Sequence, residues 1–105
     1  MGNYRFVWDE RLGIPLPRLE AEWEAYDEDE RKAIVEQWET IRGTIPERVL
    51  HLERIIVAKQ SQLEEEEDFE RSCRLNGEIA ELASRIHDLH IWYRIDQEVE
   101  PRTHF

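Results

Sequence analysis

The sequence predicts an all-α fold: a helical hairpin preceded by shorter helices, a bundle completed by dimerisation, and an extended N-terminal arm. Three observations predict it. Hydrophobic residues form 40% of the 105-residue chain while Gly and Pro number only 4 each, which supplies one core and leaves little to interrupt long elements. Leu75, Ile79, Leu82, Ile86, Leu89 and Tyr93 follow one another at alternating spacings of four and three, as in a coiled-coil seam. Thr44-Ile45-Pro46-Glu47 reads as a helix start, with Thr44 as N-cap, Pro46 in the first turn where no N–H is required, and Glu47 closing a capping box.

The chain reads as a single helical domain. In residues 1–15, Tyr4, Phe6 and Trp8 alternate with Arg5, Val7 and Asp9 ahead of Gly13, Pro15 and Pro17, which predicts an extended arm. Residues 16–43 read as short helices. Leu16, Leu19, Trp23 and Tyr26 suggest the first, and Ile34, Trp38, Ile41 and Ile45 place an apolar stripe on a second over about 28–42. Asp27-Glu28-Asp29-Glu30 fits the start of that second helix, where carboxylates cap free N–H groups, and Gly43 fits its end.

Residues 44–75 read as a long helix with Ile45, Val49, Leu52, Ile56 and Leu63 on its seam, and residues 78–99 as a C-terminal helix followed by a tail over 100–105. The two seams are out of phase, so something interrupts them. Asn76-Gly77 is the predicted break, because both residues accept the left-handed conformation that closes a helix. A single helix over 45–98 with a stutter is the alternative, since Leu75 and Ile79 keep the heptad register across that pair. In the hairpin the first helix outreaches the second by about 15 Å at 1.5 Å per residue, and the helix over 28–42 is placed to cover the difference.

A net charge of -11 repels nucleic-acid phosphate, so direct DNA or RNA binding is not expected. The first six residues lack the apolar run of a signal peptide, and no stretch reaches the roughly 18 apolar residues of a membrane span. One Cys forms no internal disulfide, and a reducing, cytoplasmic setting is expected. No glycine-rich phosphate loop, nucleophile elbow or paired-Cys motif is present, so neither enzymatic activity nor a cofactor is expected.

The acidity is concentrated. Residues 60–70 carry -6, most of it in Glu64, Glu65, Glu66, Glu67 and Asp68, where like charges at helical spacing repel. This run is therefore the candidate partner-binding surface, weighed against an ordinary solvated helix face. The candidate oligomer interface is the seam Leu75, Ile79, Leu82, Ile86, Leu89 and Tyr93, because Trp23, Trp38 and Trp92 add more apolar area than one small core needs.

His87 and His90 lie three apart on one helix face, and a break at Asn76-Gly77 sets Glu66 or Glu67 roughly opposite them. Two imidazoles and a carboxylate suit Zn, Fe or Mn, although the Glu-x-x-His pattern of dinuclear carboxylate bundles is missing. The plainer reading makes both histidines polar shoulders of the seam. Cys73 falls with Phe69 on an apolar side and reads as a buried thiol.

The function expected from these readings is a non-enzymatic, homodimeric protein-interaction or regulatory protein that presents its acidic helix to a basic protein partner. Two alternatives stand beside it: a metal-binding helical bundle or enzyme using His87, His90 and a carboxylate, and a structural subunit of a larger assembly.

Overall fold

A computed structural model describes residues 3–99; the tail expected over 100–105 lies outside them. The order is strand β1 (Tyr4–Asp9), strand β2 (Ile14–Leu19), a short 3-10 turn (Trp23–Ala25), and helices α1 (Glu28–Arg42), α2 (Ile45–Glu65) and α3 (Phe69–Val99). The protein is mostly helical, with a small two-stranded antiparallel sheet at its N-terminus.

The expected arm and first short helix are therefore corrected to a β-hairpin. The alternation over Tyr4–Asp9 is that of a strand, and Leu16 and Leu19 belong to its partner. Prolines decide the second strand. Pro15 and Pro17 would break a helix interior, but two residues apart on one strand of a two-stranded sheet their missing N–H groups both fall on the side away from β1. Only Trp23–Ala25 retains a helical turn. Tyr26, 1% exposed, anchors this region: its hydroxyl donates to the Asn3 carbonyl at 2.5 Å and accepts from the Glu20 N–H at 3.1 Å.

The strand turn is held by Asp9, whose side chain accepts from the Leu12 N–H at 2.8 Å and whose carbonyl accepts from the Gly13 N–H at 2.7 Å. Gly13 takes φ +74, and a Cβ there would lie 2.6 Å from Nε of Arg48, which donates to the Leu12 carbonyl at 3.0 Å. The glycine permits both the turn and its seat on α2.

Helix α1 starts as its sequence indicates. The Asp27 side chain accepts from the Glu30 N–H at 2.8 Å while the Glu30 carboxylate accepts from the Asp27 N–H at 3.0 Å, a complete capping box. The start of α2 differs from expectation. Gly43 and Thr44 both keep right-handed helical angles, so Thr44 does not adopt the extended conformation an N-cap uses. Its hydroxyl instead donates back to the Ile41 carbonyl at 2.7 Å.

The largest correction concerns the hairpin. Helix α3 runs through Asn76 and Gly77, and the chain turns at Glu66, Glu67 and Asp68. The heptad register of Leu75 and Ile79 is the signal the chain follows. A turn inside the acidic run also removes the like-charge contacts an unbroken helix would hold there, and the turn is closed by the run itself. Asp68 caps α3, with its carboxylate accepting from the Arg71 N–H at 2.9 Å and its carbonyl from the Ser72 N–H at 2.9 Å. Glu66 accepts from the Asp68 N–H at 3.1 Å and pairs with the Arg71 guanidinium at 2.9 Å.

Helix lengths are accordingly reversed from the expectation, with α3 about 15 Å longer than α2 at 1.5 Å per residue. Helix α1 packs on the C-terminal overhang of α3. The rings of Trp38 and Trp92 meet edge to face at 5.8 Å, and Arg42 lies over the Tyr93 ring at 4.6 Å while donating to its carbonyl at 3.2 Å. The core joins Leu12 and Ile14 of the β-hairpin, Trp38 of α1, Ile45, Val49 and Leu52 of α2, and Leu82 and Leu89 of α3. Each such side chain, fully buried, stabilises the fold by about 1.5–3 kcal/mol. No helix among the described residues is long and apolar enough to cross a membrane.

Candidate functional site: the free end of the helical hairpin

The core occupies one end of the molecule. Between residues 57 and 81 only Leu75 is buried, so toward the turn α2 and α3 pair with each other and carry no third layer. The outline is a rod of 59 × 23 × 22 Å, with a radius of gyration of 18.3 Å where a compact domain of this length has about 13 Å.

At the tip, Glu64 and Glu65 close α2, Glu67 sits at the centre of the turn, and Glu70 opens α3. These four carboxylates are exposed and make no hydrogen bond or ion pair with the described residues, in contrast to Glu66 and Asp68, which are engaged in the turn. The acidic run thus divides into a structural pair and a free set. Phe69 stands among the free carboxylates with 78% of its surface exposed, the most exposed large hydrophobic side chain among the described residues. Its position follows from the cap: Asp68 fixes the first residue of α3, and helical geometry turns that residue away from α2. Sequence reasoning set Phe69 on the apolar side of a continuing helix. Only the position of the turn reveals it as exposed.

Behind the tip, on the side of the hairpin that the sheet covers farther along, lies a groove of about 460 Å³. Ile55 and Leu82 supply its apolar floor, Lys59, Arg74 and Arg85 its cations, Glu78 and Glu81 its carboxylates, and Gly77 part of its wall. Lys59 pairs with Glu78 at 2.8 Å, and this hydrogen bond holds the Glu78 carboxyl below its ordinary range. Glu81 is lowered likewise, first by Arg11 at 3.0 Å and then by Arg85 at 3.3 Å. Arg11 reaches from the β-turn to Glu81 of the groove wall, donating also to Asp88 at 2.6 Å and to Ser84 at 2.7 Å. Its guanidinium is raised above its ordinary value chiefly by the Asp88 hydrogen bond, against the lowering effect of desolvation.

The remaining candidates are placed differently from expectation. Leu75, Leu82 and Leu89 are buried at 5%, 7% and 0% exposure, so half of the seam read as an oligomer interface closes the chain's own hairpin. Ile79 and Ile86 are half-buried beside it, and Tyr93 lies under Arg42. His87 and His90 are exposed on α3, and with the turn at residues 66–68 they stand about 30 Å from Glu66 and Glu67 along the helix. The break expected at Asn76-Gly77 had set these groups opposite each other; continuation of α3 separates them. Among the described residues no three His, Cys, Asp or Glu side chains are grouped to hold a metal ion. His90 lines a shallow, mainly apolar hollow with Ile45, Pro46, Val49 and Tyr93. Cys73, read as buried, is exposed, because Phe69 and the residues in helical step with it face away from α2.

Comparison with known proteins adds no identity: no protein family model matches the chain, and no match is found among curated proteins or solved structures.

Proposed function

We propose that this protein is a non-enzymatic interaction module that offers the free end of its helical hairpin to a basic protein partner. The observation that carries the reading is Phe69, 78% exposed and flanked by Glu64, Glu65, Glu67 and Glu70. An exposed aromatic ring costs solubility and adds nothing to this core; set among carboxylates, it suits a partner surface with an apolar pocket rimmed by Lys or Arg. The ring supplies buried area, and the carboxylates supply orientation and rate of encounter. Self-association belongs to the same reading, and it uses a surface other than the Leu75 to Tyr93 seam, whose three leucines are buried within the chain.

The test is capture of interacting proteins from the native cell by the wild-type chain and by a triple variant, Glu64→Gln, Glu65→Gln and Glu67→Gln. Glu66 is left in place because it closes the turn. The variant retains wild-type helicity, and it loses a basic partner that the wild type holds and releases at high salt. Equal recovery by both chains contradicts the proposal.

A further inference from the structure

On one side of α3, Glu70 and Arg74 make no ion pair with the described residues, whereas Glu81 pairs with Arg85 at 3.3 Å and with Arg11 at 3.0 Å. Glu70, Arg74, Gly77, Glu81 and Arg85 succeed one another at spacings of four, three, four and four, which sets them along one side of the helix. All but Glu70 line the groove. Their charges run negative, positive, neutral, negative, positive. A two-fold axis beside Gly77 that sets α3 antiparallel to a second α3 brings Arg74 opposite Glu81 and Glu70 opposite Arg85, and each pairing occurs twice. This is the self-complementarity that an isologous contact requires.

Two further features single out this face. Gly77 lies deep inside a helix, where Gly is unfavourable, yet a Cβ added there meets nothing within 4 Å in its own chain. The monomer gives no reason for a glycine, whereas a second backbone crossing at that point does. The chain carries -11, so most contacts between two copies are repulsive, but the groove holds three cations against two carboxylates. It is a place where a second copy meets no net negative charge, and it has an apolar floor, Ile55 and Leu82, to cover.

We infer that the protein forms a two-fold dimer in which the α3 helices cross antiparallel at Gly77, closing each groove with the other copy. The inference rests on the self-association included in the proposed function. Phe69, one residue and so about 100° of helix from Glu70, is turned to the side of the crossing, and with Glu64, Glu65 and Glu67 it stays open to the basic partner.

Sedimentation velocity and native mass spectrometry on the full chain test this with four proteins. Wild type is expected as a dimer. Gly77→Arg places a long side chain at the crossing and has room in its own chain, so it retains helicity while the dimer weakens at least tenfold. Arg85→Glu weakens the dimer by opposing Glu70, and the exchange Glu70→Arg with Arg85→Glu restores it, which no effect confined to the monomer would do. A monomeric wild type overturns self-association and this interface together. A dimeric wild type with Gly77→Arg equally dimeric, or with the exchange failing to rescue, overturns this interface and leaves self-association standing.

Discussion

Gly13 and Phe69 show how much depends on single positions. Gly13 combines a left-handed φ of +74 with a side-chain approach from Arg48 that leaves no space for a methyl group. The left-handed conformation costs roughly 1–2 kcal/mol for a residue bearing Cβ, and displacement of Arg48 adds to it. Gly13→Ala should therefore lower unfolding free energy by about 1–3 kcal/mol in a urea titration; an unchanged midpoint would show that the turn relaxes freely. In the sequence Gly13 reads as part of an extended arm; its turn and its partner Arg48, from the next layer of the fold, come from the structure. Glu66 and Asp68 teach the converse. Read as part of an acidic surface, both are turn formers, because a side-chain oxygen in reach of a free N–H is used locally before it is offered to a partner.

At the scale of elements, the boundaries of α1 were legible because Asp27 and Glu30 form a local signal, complete within four residues. The turn between α2 and α3 was not. Asn76-Gly77 has the stronger turn composition, and the sequence contains no term for the pairing of Leu52 with the seam of α3, which sets where the chain reverses. The β-hairpin was half legible: alternation and prolines indicated an extended segment, but its pairing depends on the register Tyr4↔Leu19 to Asp9↔Ile14. The join between β-hairpin and α3 passes through Arg11, and it depends on pH. Glu81 has its carboxyl lowered in the fold, so its contribution is complete above the ordinary carboxylate value near 4.5 and is lost as pH falls through the lowered value. Thermal unfolding followed from about pH 7 to about pH 3 should show the midpoint falling below that value. Glu81→Gln should flatten part of the fall, and the same slope in wild type and variant would remove Arg11 and Glu81 as its cause.

Across the whole molecule, the division of labour follows from where apolar residues run out. One end has three layers, the β-hairpin and α1 closing over α2 and α3; the other has two helices, an exposed ring and a charged groove. The sequence disclosed the mostly helical class and the acidity. It did not disclose that the acidic run lies at the end of a rod, because that follows from a turn fixed by long-range packing. The central claim is that this free end, led by Phe69, meets the partner. The most direct measurement is site-specific photo-crosslinking in the native cell, with the photoreactive residue at position 69 in one protein and at His51, exposed on the side of α2 near the core, in another. A heavier adduct with a basic protein is expected from position 69, lost when Glu64, Glu65 and Glu67 become Gln, and no such adduct from position 51. No adduct from position 69, or the same adduct from both positions, would contradict that claim.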